Sequence, residues 1–162
     1  APGLSRIAPA GSQEIDVLFY GSLNDRRAHI LDQLDARGLT VVRAFGVYGE
    51  ERDSLIARAK VVLNVHYYEA RILELVRVSY LLANRKAVVA EYDERTELAD
   101  DLKEGLRLAR YDELVESVAQ LVSDDEARRS LEVNGFATMT RRRAEAILDA
   151  PLAKAAARRH RG

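Results

Sequence analysis

The stretch Ile15-Asp16-Val17-Leu18-Phe19-Tyr20-Gly21-Ser22-Leu23-Asn24 decides the fold. Its first six residues form a short apolar run of strand length, and a glycine turn and a residue suited to helix capping follow. The next segment repeats apolar residues on one helical face, at Ile30, Leu31 and Leu34. A buried strand, a tight turn and an amphipathic helix in this order are typical of a parallel sheet.

The same unit recurs along the chain. Further strands are predicted at residues 40–45, 61–65, 87–90 and 106–109, with helices between them. A longer helix is predicted from about Glu69 to Ala83. Strands that are apolar on both faces and alternate with helices predict an α/β fold. We therefore expect a doubly wound, Rossmann-like parallel sheet of about five strands, most simply ordered 3-2-1-4-5.

The last third of the chain is predicted to be helical. Apolar periodicity places helices at residues 114–122, 125–131 and 140–148, and Pro151 is expected to end the last one. The predicted organisation is a linker or tail at 1–13, one domain at 14–150 and a basic tail at 151–162. The chain begins with Ala1 rather than Met, which predicts a fragment or a processed chain.

Composition excludes several classes of function. The 25 Lys and Arg residues nearly balance the 26 Asp and Glu residues, so no nucleic-acid partner is expected. No apolar run approaches the roughly 20 residues of a membrane span. With no Cys and three His, none at ligand spacing, neither a metal site nor a cofactor is expected. The absence of Cys also favours a cytoplasmic location.

Ligands of doubly wound sheets bind beyond the carboxyl ends of the strands, where the strand order reverses. That crevice is expected to collect residues 21–27, 66–69 and 91–94. The Gly21-Ser22 turn, with Asn24 behind it, could hold a phosphate or could be a plain capped turn. It matches neither the GxGxxG fingerprint nor the GxxxxGK[ST] loop, which disfavours dinucleotide and Walker-type sites.

Two more groups of residues are candidates for this crevice. His66, Tyr67, Tyr68 and Glu69 form an aromatic, polar lip in which the histidine could be an acid, a base or structural. Glu74 and Arg77 stand three residues apart on the following helix. That arginine is predicted either to be buried with Glu74 or to face an anion in the crevice.

Three segments resemble the carboxyl-terminal half of GT-B glycosyltransferases, especially the spore-protein-like subgroup. They are the first strand with its turn and paired arginines (17–27), the third strand with its loop (61–66), and the donor-site helix leading into the fourth strand (77–89). The resemblance spans about residues 14 to 150. It implies a nucleotide-sugar donor and an amino-terminal acceptor domain that this chain lacks. The implied donor-binding residues are Gly21, Ser22, Asn24, Arg27, His66, Tyr67, Tyr68, Glu69, Glu74, Arg77, Tyr80 and Glu91.

The chain departs from the family's E-x7-E pattern. Counting from Glu69 gives Arg77, and alignment through the fourth strand puts Tyr80 where the second glutamate is expected, so Glu69 and Glu74 compete for the acidic donor contact. The leading hypothesis is the donor-binding domain of a glycosyltransferase with an unknown acceptor, inactive as an isolated chain. The alternative is a non-catalytic binding module with the same fold. A receiver domain is disfavoured, because Asn64 stands where a phosphoacceptor Asp is needed.

Overall fold

The computed structural model describes residues 6–67 and 74–159, with side chains described up to residue 149. Its strands are β1 (Ile15–Tyr20), β2 (Val41–Ala44), β3 (Ala59–Asn64), β4 (Ala87–Glu91) and β5 (Arg107–Ala109). Every neighbouring pair in this sheet is parallel. The predicted doubly wound, Rossmann-like fold with a helical carboxyl-terminal part is therefore confirmed.

The predicted strand order, 3-2-1-4-5, is wrong. The order is β2-β1-β3-β4-β5, so the chain reverses direction across the sheet between β1 and β3. Right-handed crossovers fix the hand of each connection but not the side on which the next strand is added. The strands themselves carry the signal: β3 is buried almost throughout, whereas β2 is short and only partly buried, as an edge strand is. Arg43 on β2 pairs with Asp32 and Asp35 at that edge.

Helices cover both faces of the sheet. One core joins the sheet to α1 (Asp25–Ala36) and α5 (Leu114–Ser123). The other core joins it to α2 (Gly49–Arg58), α3 (Leu75–Ala83) and the short α4 (Asp100–Lys103). Asn24 caps α1, as predicted, by accepting a hydrogen bond from the Arg27 amide at 3.0 Å. This cap fixes the first turn of α1 at the carboxyl edge of the sheet.

The carboxyl-terminal helix is longer than predicted. α6 runs without a break from Asp125 to Arg159, through the expected gap at residues 132–139 and past Pro151. Tertiary packing supports it: a Cβ at Gly105 would lie 2.8 Å from the Cα of Gly135, so the two glycines let α6 approach very closely. Over residues 6–67 and 74–159 no helix combines the length and apolar character needed to cross a membrane.

Candidate functional site

A cavity of about 980 Å³ opens at the carboxyl edge of the sheet, above the ends of β2, β1 and β3. This is the side on which the strand order reverses, and it is where doubly wound sheets place their ligands. The loops after β1 and β2 and the first turn of α3 form its walls. The observed strand order therefore moves the crevice toward β2 and away from β4.

The cavity is rich in positive charge. Among the residues that the structure describes, Arg6, Arg27, Arg52 and Arg77 line it, and Glu74 is the acidic residue that lines it with them. A concave surface with this excess of guanidinium groups attracts anions, and phosphate matches guanidinium geometry well. The site therefore suits an anionic ligand.

Gly21 makes room for one of these arginines. The glycine has φ +129°, and a Cβ at this position would lie 3.2 Å from Nη2 of Arg77. Its amide donates to the carbonyl of Ala44 at 2.9 Å, which ties the turn after β1 to the end of β2. The Arg77 guanidinium also lies 4.7 Å from the centre of the Tyr20 ring. A side chain at residue 21 would force this guanidinium to shift by a few tenths of an ångström.

Arg27 is held inside the protein and is only 3% exposed. Its Nε donates to the carbonyl of Val65 at 2.9 Å, and Nη1 donates to the carbonyl of Ser22 at 2.7 Å. Burial lowers the pKa of the Arg27 guanidinium, and the nearby Glu74 carboxylate opposes that effect. Arg27 thus joins the turn after β1 to the end of β3. Its guanidinium places a positive charge at the bottom of the cavity.

Glu74 and Arg77 form an ion pair on the cavity wall, with 2.6 Å between Oε2 and Nη1. The other carboxylate oxygen, Oε1, lies 3.5 Å from Nη2 of Arg27. Glu74 is also the N-cap residue of α3, yet its side chain makes no capping hydrogen bond. The first-turn amides of α3 therefore lack a side-chain cap from Glu74, and this helix end faces the cavity. The predicted helical segment at residues 69–73 lies outside the described residues.

Two aromatic side chains that the sequence reasoning missed stand at the rim. Phe45 and Tyr48, in the loop between β2 and α2, are 77% and 79% exposed and line the cavity. Large exposed rings beside a polar pocket are suited to stacking on a flat ligand. The motif Phe45-Gly46-Val47-Tyr48-Gly49 was the available signal. The expected strand order, which reverses between β1 and β4, does not place this loop at the reversal.

Tyr80, further along α3, belongs to a polar network on the cavity wall. Its hydroxyl donates to Oδ1 of Asp53 at 2.7 Å and accepts from Nε of Arg6 at 3.0 Å. The Arg52 guanidinium lies 4.6 Å above the tyrosine ring. Partial burial raises the pKa of Asp53, but the hydrogen bonds from Tyr80 and Arg52 outweigh it and lower that pKa overall.

The segment before β1 also reaches the cavity. The backbone amides of Arg6 and Ile7 donate to Oδ1 of Asn84 at 2.9 and 2.8 Å. These two bonds hold the segment against the end of α3 and place the Arg6 side chain on the cavity wall. Part of the predicted linker thus contributes to the candidate site.

Two predicted site residues lie in a different place, which we call the Arg26 cluster: Arg26, His66, Glu91 and Tyr111. Glu91 is 5% exposed and accepts hydrogen bonds from the Arg26 guanidinium and, at 2.9 Å, from the His66 amide. Arg26 stacks 4.0 Å from the centre of the Tyr111 ring. This cluster closes the β3–β4 end of the sheet.

The structure thus divides the predicted site residues. Those on the cavity are Gly21, Ser22, Arg27, Tyr67, Glu74, Arg77 and Tyr80. Asn24 is the cap of α1, and its side-chain amide also donates to the carbonyl of Tyr67. Tyr68 and Glu69 lie outside the described residues. Among the described residues no group of three or more His, Asp or Glu side chains could hold a metal ion.

Sequence comparison finds relatives in Acanthamoeba polyphaga mimivirus. The uncharacterized protein L138 is 37% identical over 111 residues, which are 67% of this chain and 13% of that protein. The uncharacterized proteins L137 and L140 are 30% and 29% identical over 115 residues, covering 16% and 38% of their lengths. The chain therefore spans well under half of each of these relatives. No family model matches the chain.

Solved structures are similar in fold. TarM superposes with a TM-score of 0.64 at 12% identity, over 91% of this chain and 36% of that one. The carboxyl-terminal domain of LpcC, a glycosyl transferase group 1 family protein from Francisella tularensis, gives a TM-score of 0.55 at 13% identity. That match covers 83% of this chain and 94% of that domain. The chain therefore shares its fold with these two structures, one of which is a glycosyl transferase group 1 family domain. Nothing in these comparisons supports the spore-protein-like subgroup.

Proposed function

We propose that this chain is the nucleotide-sugar donor-binding domain of a glycosyltransferase. The observation that carries the proposal is the arginine-lined cavity at the point where the strand order reverses. The glycosyltransferase fold supports it, although a fold alone does not establish an activity. The chemistry must therefore be argued from the residues around the cavity.

The diphosphate of the donor would lie between the Gly21-Ser22 turn and the first turn of α3. Arg77 stands over that turn, and the first turn of α3 would add the partial positive charge of a helix N-terminus. When the bond to the sugar breaks, negative charge grows on the leaving diphosphate. Preorganised guanidinium and amide groups stabilise this charge without requiring a metal ion.

The nucleoside would extend toward the rim formed by Phe45 and Tyr48. Stacking of a base on an aromatic side chain contributes about 1–3 kcal/mol and tolerates different bases. Both rings are exposed, so they are accessible to such a ligand. This arrangement would bind nucleoside diphosphates more tightly than inorganic phosphate.

We also propose a cytoplasmic location. The acceptor would be held by an amino-terminal domain elsewhere in a longer polypeptide. A donor domain alone cannot orient the acceptor or exclude water from the reacting atoms. We therefore expect the isolated chain to transfer no sugar, with slow donor hydrolysis as its upper limit. Efficient transfer, detected by product mass, would contradict a division of the enzyme into two domains.

The second candidate is a non-catalytic binding module with the same fold. Tyr80 favours it, because this residue stands where the resemblance expects an acidic donor contact. Its hydroxyl is bonded within the protein, to Asp53 and Arg6. Such a module would keep the arginine-lined cavity for a structural or regulatory anion.

Thermal unfolding with a ligand panel tests the two candidates. A ligand that binds only the folded state raises the Tm. With UDP, GDP, ADP and TDP at millimolar concentration, the donor-domain proposal predicts a clear rise for at least one of them. Absence of any shift would favour the non-catalytic module. An equal shift with inorganic phosphate would indicate a general anion site.

A further inference from the structure

The carboxylate of Glu74 occupies the position in the cavity that an anionic ligand would need. It lies 2.6 Å from the Arg77 guanidinium and 3.5 Å from that of Arg27. These are the two cations that flank the turn after β1. One carboxylate is therefore shared by two guanidinium groups.

We propose that Glu74 is an internal counter-anion that ligand phosphates must displace, and that it thereby sets the affinity and selectivity of the cavity. This inference rests on the proposed binding of a nucleoside diphosphate. It differs from the acidic donor contact expected from the resemblance, because a contact residue strengthens binding, whereas a competing carboxylate weakens it.

Electrostatics favours displacement over coexistence. A carboxylate within a few ångströms of a diphosphate repels it, and a partly desolvated site increases that repulsion. The Glu74 side chain is 37% exposed, so it can rotate into solvent when a ligand arrives. As the N-cap residue it makes no side-chain capping bond, so its departure breaks no helix-capping contact.

Displacement also explains how the cavity can discriminate between anions. A singly charged anion such as chloride gains too little from the two guanidinium groups to replace a carboxylate already in place. A diphosphate carries more charge and can contact both arginines and the first-turn amides of α3 together. Glu74 therefore lowers the affinity of the cavity for singly charged anions and still allows a diphosphate to bind.

Isothermal titration of the full chain with inorganic pyrophosphate and with the nucleoside diphosphate giving the largest Tm shift tests this role. We expect Glu74→Gln to tighten pyrophosphate binding roughly tenfold, which corresponds to about 1.4 kcal/mol. The nucleoside diphosphate should also bind more tightly. Glu50→Gln, which removes an exposed carboxylate from the first turn of α2, is the matched control and should change either affinity less than twofold.

Weaker nucleoside diphosphate binding in Glu74→Gln would instead mean that Glu74 contacts the ligand directly. If Glu74→Gln weakens the nucleoside diphosphate and leaves pyrophosphate unchanged, the carboxylate contacts the nucleoside and the proposal is wrong. Unchanged affinity for both probes would also overturn it. If the wild-type chain binds neither probe, it is the proposed function that fails. Glu74→Asp keeps the charge but shortens its reach, so it should give a smaller increase in affinity. It replaces Glu74→Gln in the test if that variant folds poorly.

Discussion

The cavity and the Arg26 cluster lie at the same edge of the sheet and use the same kinds of side chain, yet they are built for different purposes. In the Arg26 cluster, Glu91 accepts from both a guanidinium group and a backbone amide, and Tyr111 covers the arginine. In the cavity, guanidinium groups outnumber carboxylates and line open space. Charge that is satisfied internally holds a fold together, whereas charge in excess is available to a ligand.

The largest effect expected from this contrast is on stability. Glu91→Ala removes the buried carboxylate that accepts from the Arg26 guanidinium and from the His66 amide, and it should lower the free energy of unfolding by about 3 kcal/mol or more. Urea unfolding measures this change. Glu94→Ala removes a carboxylate from an exposed pair with Arg110 and should cost less than about 1 kcal/mol. Equal losses in both variants would show that the Arg26 cluster is no stronger than a surface pair.

Gly21→Ala should affect both stability and binding. At φ +129° an alanine is strained by about 1–3 kcal/mol, and its Cβ would shift the Arg77 guanidinium by a few tenths of an ångström. Nucleoside diphosphate affinity should therefore fall together with the Tm.

Gly38→Ala is the matched control for that variant. Gly38 also has a positive φ, +81°, but no atom beyond its chain neighbours lies within 4 Å of its Cβ position. It should lose stability without losing affinity. If Gly21→Ala binds as tightly as the wild type, the contact between residue 21 and Arg77 has no role in the site.

Arg77→Ala should separate binding from stability. Its pair with Glu74 is partly exposed, so the cost to unfolding should stay below about 1 kcal/mol. Affinity for the nucleoside diphosphate should fall at least about tenfold, which is 1.4 kcal/mol. Arg37→Ala, from an exposed pair with Glu116, should leave affinity unchanged. A larger loss of stability than of affinity in Arg77→Ala would make the pair structural.

The smallest effect expected is on acid stability. The pKa of Asp53 is lowered in the fold, so the native state holds fewer protons than the unfolded state near the unfolded pKa of about 3.9. The stabilisation from ionised Asp53 is present above that pH and is lost as the pH falls through the lower, folded pKa. In Asp53→Asn, the free energy of unfolding should therefore decrease less steeply as the pH falls below about 4. Asp112→Asn, at an exposed position, is the control. If the free energy of unfolding falls identically with acid pH in both variants, the Tyr80 network does not cause the acid sensitivity.

Much of the fold could be predicted from the sequence, because buried strands and capped helices are local patterns. The run Ile15–Tyr20 and the cap at Asn24 are examples. The strand order could not be predicted in the same way, since the side on which β3 joins the sheet depends on which strands bury both faces. The arginine at residue 43 was the available indication that β2 is an edge strand.

The site was predicted only in part, for the same reason. Residues close in sequence to the turn after β1 were found, including Gly21 and Arg27. Phe45 and Tyr48 were missed because their approach to the cavity follows from the strand order. Glu91 was included because it follows a strand, but its side chain is satisfied by Arg26, and a sequence does not reveal that pairing.

The contrast between the two regions can be measured directly by ¹⁵N NMR titration of the chain with the nucleoside diphosphate that gives the largest Tm shift. The amides at residues 20–22, 45–48 and 75–77 should shift most, because these residues surround the cavity. The amides of Glu91 and Tyr111 in the Arg26 cluster should stay nearly unchanged. Shifts centred on Glu91 and Tyr111, or none at all at saturating ligand, would contradict the assignment of the cavity as the nucleotide site.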